Sequence, residues 1–260
     1  MSETPGHKLT RVIAGSADLR RAPADDAALD TQILFGELFM IEEELDGWAK
    51  GRAVLDNYPG YVRVGALGPP GPPPTHQVCV LRTFVYPDAD IKSPPLMWLG
   101  MNAKLALLAY SGGFGQIEDL GWIYAMHTAP VGMHAADFVT AAEMFLGAPY
   151  LWGGRDGLGL DCSGLLQLGL QCAGHACPRD TYQQVELGLP LAAEPRGLQR
   201  GDLIFWKGHV GIMLDADILL HANGHHMACI AEPLAEARAR ILAKTGHDIS
   251  AIKRLDPLPE

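Results

Sequence analysis

Long apolar runs are the first thing this 260-residue chain lacks. No stretch approaches ~18 uninterrupted apolar residues, so no membrane-spanning helix is expected. No apolar run of ~7–15 residues follows the opening Met-Ser-Glu-Thr-Pro-Gly-His-Lys, so no secretory leader is expected either. Basic residues are few: 20 Lys and Arg stand against 30 Asp and Glu, a net charge of −10 with neutral His. That balance excludes a nucleic-acid binder, which needs a basic patch, and an electrostatic membrane anchor. Cysteines are five, at positions 79, 162, 172, 177 and 229. An odd number at irregular spacing does not describe a disulfide framework. Together these features favour a reducing cytoplasm. The GxxxxGK[ST] pattern is absent, so Gly153, Gly154, Gly157 and Gly159 read as a flexible connection rather than a phosphate cradle.

What is present is a core-forming composition rich in turns. Hydrophobic residues make up 48% and charged ones 19%, which excludes wholesale disorder. Gly at 30 and Pro at 19 exceed ordinary usage and suit short strands better than a helix bundle. Residues 1–8 read as a loose tail. Short apolar runs follow at 17–20, 31–41, 47–53 and 60–64, spaced as in a small β barrel. Gly68-Pro-Pro-Gly-Pro-Pro-Pro74 cannot continue a sheet and reads as a stiff linker. Strands are expected again at 78–85, 105–110 and 121–124. The two blocks end alike, on Gly60-Tyr61-Val62 and Gly121-Trp122-Ile123, as a diverged repeat would. The domains are expected at 1–67, 77–132 and 133–260, with the linker at 68–76.

The third block changes texture. Phe138, Ala141, Ala142, Phe145 and Leu146 recur at helical spacing, so a helix is predicted over 135–146, stopped by Pro149. A second is predicted over 161–174, with Asp161 in capping position. A strand is expected at 203–206, a hairpin at 209–214 and 218–221 around Asp215, a helix at 232–243 and a strand at 251–255. Helices with an antiparallel set of strands make this block α+β.

Cys162 falls in the first turn of a predicted helix. Unpaired amides and the positive end of the dipole favour a thiolate there. An inert core thiol is the other reading of such a cysteine. If the turn centres on Asp215, His209 and His221 are directly opposed, with Cβ atoms about 4.5–5.5 Å apart. One ring would then take the Cys162 proton while the other fixes its tautomer, as in cysteine hydrolases. The spacing equally fits two surface histidines. Cys172 and Cys177 flank His175, but no second Cys pair completes a zinc set, so structural thiols are expected and no metal.

Six pieces occur in order over some 120 residues: Tyr150-Leu-Trp-Gly-Gly154, Asp161-Cys-Ser-Gly164, Arg179-Asp180, Arg200-Gly-Asp-Leu203, Gly208-His-Val-Gly211 and Ile218-Leu-Leu-His221. In this the chain resembles the NlpC-type (NlpC/p-sixty) cysteine peptidases, which cut bacterial cell-wall peptides. The resemblance implies a papain-like catalytic domain preceded by two small SH3-like β barrels. It makes Cys162 the nucleophile, His209 the base and His221 the third polar residue. With two barrels in front, the chain resembles the γ-D-glutamyl-L-diamino-acid endopeptidases of the dipeptidyl-peptidase VI type. In these the first barrel caps the cleft and admits a free N-terminal L-alanine. That resemblance implies Tyr58 and Glu37 at the substrate amine and Tyr150 and Trp152 along the cleft. It implies Asp161 at the substrate amine or as loop anchor, a hydroxyl from Ser163, and Arg179 at a substrate carboxylate. Thr181 stands where that subgroup has Ser, and Tyr61 where Trp is commoner. The implied partner is a murein tri- or tetrapeptide, with no cofactor. A wall-binding module, or an acyltransferase or amidase on the same Cys/His/His set, are the alternative functions.

Overall fold

The computed structural model of the chain describes residues 7–192, 194 and 196–255; most of the expected loose tail lies outside them. The described residues fall into two compact units. One runs up to Met133 and also takes Gly153–Gly157; the other takes His134–Trp152 and everything from Leu158 on. The sequence reading placed 153–157 wholly with the third block. Its capture by the first unit has local causes. Ser16 Oγ donates to Asp156 at 2.8 Å, and Arg155 forms a buried ion pair with Glu37 at 2.7 Å.

The first unit opens with a seven-stranded antiparallel sheet. Neighbours run Leu29–Leu34, Ser16–Arg20, Pro59–Arg63, Trp48–Ala53, Leu38–Leu45, Lys8–Val12 and Leu67–Gly68. Alternation buries Val12, Leu19, Ile33, Phe39, Ile41 and Val62 in one core. The single run expected over 31–41 is two strands. Gly36 breaks it at φ +79°, where a Cβ would lie 2.1 Å from the Lys104 carbonyl oxygen. Phe35, at that break, joins the second core, among Val78, Val85, Leu99, Leu105, Ile117 and Ile123. That core sits between a five-stranded sheet and a three-stranded one. The strand expected over 78–85 is likewise two. His76–Val78 belongs to the three-stranded sheet and Arg82–Tyr86 to the five-stranded one.

The repeat is visible in the backbone. Pro59–Arg63 leads into a 3-10 turn at Val64–Ala66, then the strand Leu67–Gly68. Gly121–Tyr124 leads into a 3-10 turn at Ala125–His127, then Thr128–Pro130. The residues before the two turns have φ −62° and −63°.

The second unit holds four helices and a six-stranded antiparallel sheet. Helix α1, Phe138–Glu143, is capped by Asp137, which accepts from the Val139 amide. Arg200 binds both Asp137 and Glu143, tying the strand entry to α1. Helix α2 is Cys162–Cys172, with Asp161 as N-cap and every residue but Gln171 buried. Helices α3, Thr181–Gln184, and α4, Leu234–Thr245, follow. The sheet order is Leu189–Pro190, Ala251–Arg254, Leu203–Trp206, His209–Met213, Ile218–Asn223 and Ala228–Pro233. Leu234 and Ala237 of α4 pack with Ile204, Trp206, Met213, Leu219 and Ile252. Burial of this kind contributes about 1.5–3 kcal/mol per large side chain. Helix α2 lies against His209–Met213 and Ile218–Asn223, which brings Cys162 to the histidine strands.

Candidate active site

Cys162 is the first residue of α2 because Asp161 ends the preceding strand with extended φ −99°, ψ 179° and caps the helix. Asp161 Oδ1 accepts from the Gly164 amide at 2.7 Å. The amides at the start of a helix have no intrahelical partner, and here the Ser163 amide donates to the Cys162 sulfur. Arg179 grips the same carboxylate with both nitrogens, at 2.9 and 2.8 Å, and also reaches Ser163 Oγ at 2.6 Å. Its side chain is 1% exposed. The sequence reading offered Arg179 to a substrate carboxylate and Asp161 to a substrate amine. In the structure they are each other's buried counter-ions, and Ser163 completes their network. Arg179 is therefore an internal brace of the helix start, since an unpaired guanidinium could not be buried there.

The expected thiolate is not the resting form. Burial pushes the Cys162 thiol up to about 12, and the Asp161 carboxylate pushes the same way. Hydrogen bonds from the Val210 and Ser163 amides, and the Arg179 charge, oppose this without overcoming it. Sequence spacing sees the helix dipole but not the closed surroundings. The Val210 bond sets Cys162 against the residue that follows His209. Tyr150 joins them because 149–151 is pinned on two sides. Its amide donates to the Met227 carbonyl at 3.0 Å, and Leu151 donates to Leu160 at 3.1 Å. Burial and the nearby Cys162 and Asp161 charges raise the Tyr150 phenol, so it stays a hydroxyl donor.

The two histidines meet, though not by direct opposition. The strands pair Ile212 with Leu220 and Met213 with Leu219. Carried along, this register sets His209 opposite Asn223 and His221 opposite Gly211. The turn therefore centres on Ala216, one residue beyond the expected Asp215. His209 and His221 are diagonal neighbours on one face, a separation long side chains span. His209 Nε2 and His221 Nδ1 are 2.8 Å apart. Behind them His221 Nε2 lies 2.7 Å from Glu232 Oε1, and Arg240 clamps Glu232. Asn223 Nδ2 is 3.0 Å from the same His221 nitrogen. Burial, with the His221 and Arg240 charges, lowers His209 to about 3, so it is neutral at rest and free to accept a proton. With the thiol bonded by the amide that follows His209, and the His209 ring neutral and oriented by His221, the pair is suited to proton transfer as the sulfur attacks a carbonyl.

Glu232, Arg240 and Asn223 escaped the sequence reading. The strand carrying Glu232 was not foreseen, and the one available signal was a lone acid in Ala-Cys-Ile-Ala-Glu-Pro, eight residues before an arginine. Glu37 is corrected: both oxygens are bound by Arg155, at 2.7 and 2.8 Å, and Oε2 also accepts from the Leu34 amide. A carboxylate already neutralised by a buried arginine is the anchor of 153–157, not an open seat for a substrate ammonium. Tyr58 is half-buried against the core of the seven-stranded sheet. Trp152 is 67% exposed. Thr181 opens α3 and is partly exposed. Cys172 and Cys177 are buried and joined in no disulfide. Among the described residues no three His, Cys, Asp or Glu side chains group as a metal site. No described helix is long and apolar enough to cross a membrane. A cavity of about 250 Å³ opens beside the two histidines, with Lys207, His225, Arg240, Lys244 and His247 in its wall.

The profile of the NlpC/P60 family matches residues 147–239, and that of the bacterial dipeptidyl-peptidase SH3 domain matches 19–67. The chain is 28% identical over 229 residues to gamma-D-glutamyl-L-lysine dipeptidyl-peptidase of Bacillus subtilis (strain 168), covering 79% of this chain and 76% of that protein. It is 32% identical over 238 residues to dipeptidyl-peptidase 6 of Lysinibacillus sphaericus, covering 82% and 86%. The crystal structure of an NlpC/P60 family protein from Bacillus cereus ATCC 10987 superposes with a TM-score of 0.79 at 21% identity. The match spans 96% of this chain and 100% of that one, and shows a shared fold.

Proposed function

The chain belongs to the NlpC/P60 family of cell-wall cysteine peptidases, and from that premise we propose a narrower activity. It hydrolyses the γ-D-glutamyl–diamino acid bond of murein peptides that carry a free N-terminal L-alanine, in the cytoplasm, during recycling of released wall peptides. The observation that carries this reading is Cys162 at the start of α2, bonded by the amide that follows His209, with His221 holding the far side of that ring. The name of the Bacillus relative, a gamma-D-glutamyl-L-lysine dipeptidyl-peptidase, supports the bond chosen, and that of the Lysinibacillus relative supports release of a dipeptide. The basic wall of the neighbouring cavity suits a peptide bearing several carboxylates. Five cysteines, none in a disulfide, suit a reducing compartment.

The steps follow from the geometry. Cys162 Sγ attacks the γ-carbonyl as its proton passes to His209. Amides at the α2 start, including that of Cys162, receive the developing oxyanion. His209 then protonates the leaving amine, the C–N bond breaks and a thioester remains. Water, deprotonated by His209, releases the D-glutamate carboxylate and restores the thiol.

Purified protein incubated with L-Ala-γ-D-Glu-meso-diaminopimelate should release L-Ala-D-Glu, and Cys162→Ala should abolish it. Cleavage by that variant at the wild-type rate ends the mechanism. The same tripeptide acetylated at its amino terminus should be a poor substrate; equal rates remove the free-alanine requirement.

A further inference from the structure

Glu232 and Arg240 lie outside every motif that marked the site, yet they end the hydrogen-bond chain that begins at His209. We propose that Glu232, held by Arg240, is a positioning residue that selects the tautomer of both histidines, and that without it Asn223 selects the opposite one. The catalytic consequence rests on the peptidase reading; the tautomers do not.

His221 Nε2 has two neighbours with opposite demands. Glu232 Oε1, at 2.7 Å, can only accept a hydrogen bond. Asn223 Nδ2, at 3.0 Å, can only donate one. The orientation of the Asn223 amide is fixed from its other end, where Oδ1 accepts from the backbone amides of His225 at 3.1 Å and His226 at 2.9 Å. A single ring proton cannot satisfy both neighbours. A bare nitrogen facing a carboxylate would set a lone pair against a buried negative charge. A ring N–H beside the Asn223 amide loses only one neutral hydrogen bond, and charge-assisted bonds are about twice as strong as neutral ones. Nε2 therefore carries the proton and donates to Glu232. Nδ1 of His221 is then bare, and accepts from His209 Nε2–H across 2.8 Å. That leaves His209 Nδ1 without a proton, as the nitrogen that can take one from Cys162.

Arg240 has the complementary task. It binds both oxygens of Glu232, Nη1 to Oε2 at 2.7 Å and Nη2 to Oε1. With its charge shared, Glu232 orients His221 without drawing it into an imidazolium. A doubly protonated His221 would donate through Nδ1 and turn His209 into the wrong tautomer. The charged and titratable groups facing the two rings are Glu232, Arg240 and His226, with Lys207, His225, Lys244 and His247 in the wall of the adjoining cavity and Cys162 at the amide that follows His209.

Nitrogen–proton correlation spectra of the histidine rings in the full chain at pH 7 test this directly. Both rings should be Nε2–H tautomers in the wild type. Glu232→Ala should convert both to Nδ1–H, because Asn223 then governs His221. Its kcat on the murein tripeptide should fall about 10²–10⁴-fold, the size of a positioned general base, with KM little changed. Glu232→Ala combined with Asn223→Asp returns an acceptor to Nε2, and should restore the tautomers and at least tenfold of the lost kcat. A merely structural Glu232 predicts neither the conversion nor the rescue. Arg240→Met should move the acid limb of the kcat profile to higher pH; an unmoved limb removes Arg240 from the device. Nδ1–H rings in the wild type, or unchanged rings in Glu232→Ala, overturn the proposal. Failure of the wild type to cleave any murein peptide would instead count against the peptidase reading, and leave the tautomer result standing.

Discussion

Asp161 shows how one side chain serves folding and chemistry with opposite signs. It caps α2, neutralises Arg179, and by its charge adds to the burial that holds the Cys162 thiol protonated. Asp161→Asn keeps an oxygen for the Gly164 amide but removes the charge. Arg179, buried to 1% exposure, then loses its two-point ion pair and keeps the more weakly acting Asp180 charge, and stability should fall by about 3 kcal/mol in urea denaturation. The Cys162 thiol should become more acidic, because the second cause of its elevation is gone and the Arg179 charge is no longer offset by Asp161. Alkylation by iodoacetamide, followed at Cys162 by peptide mass analysis, should show its pH midpoint moving down. An unmoved midpoint would mean that burial alone sets the thiol. At this scale the sequence was partly legible. Cys162, His209 and His221 declare themselves by residue type and by neighbours within a few positions. The pairing of Arg179 does not, because its partner lies 18 residues upstream and only the fold brings them together. Glu232 is further removed still, on a strand that sequence pattern did not reveal.

Strands and helices were legible wherever one face is buried and the pattern is long enough to show it. Leu203–Trp206, α2 and α4 fall close to where periodicity sets them. The misreadings cluster where the chain changes sheet or direction. The 31–41 run conceals a turn at Gly36, and 78–85 conceals a passage from one sheet to another. Apolar residues stand on both sides of each break, Ile33-Leu34-Phe35 before Gly36 and Leu38-Phe39-Met40-Ile41 after it, Val78-Cys79-Val80-Leu81 before Arg82 and Phe84-Val85 after it, so hydropathy gives little sign of the break. The hairpin was placed correctly but its centre was displaced by one residue, and a turn centre moved by one slides the strand pairing by two. Parity survives such a slide, so both histidines stay on one face and the contact forms diagonally. Gly211 lies between them in this pairing. A Cβ there would meet Leu219 Cδ1 at 2.6 Å and Cγ at 2.9 Å, and Leu219 is fully buried. Gly211→Ala should therefore cost about 1–3 kcal/mol by overpacking and shift the strand that carries His209. Denaturation midpoint and kcat should fall together. A stable variant with wild-type kcat would show that the strands flex enough to absorb the methyl.

The whole molecule carries a pH dependence that follows from its site. His209 titrates near 3 in the folded protein and near 6.5 when exposed, and His221 is lowered in the same direction by burial. Between those values the unfolded chain binds protons that the folded chain refuses, so stability falls as pH drops from about 6.5 toward 3. Above 6.5 this contribution is fully present. Glu232, drawn down from 4.5 to about 2 by Arg240 and His221 against the cost of burial, extends the loss through the lower part of that range. On the alkaline side Cys162 and Cys229, both pushed from 9.0 to about 12 by burial, reverse the sign. The unfolded thiols ionise first, so stability falls again from about 9 upward. Each fully expressed group changes stability by about 1.4 kcal/mol per pH unit. Urea midpoints at pH 7.5, 6, 5 and 4, all chosen for the measurement at about equal ionic strength, should therefore decline steadily below about 6.5. His209→Gln, which cannot take up a proton in either state, should show a shallower decline. Equal slopes in the two proteins would mean that His209 is as protonatable folded as unfolded, and the neutral base required by the catalytic chain would not exist.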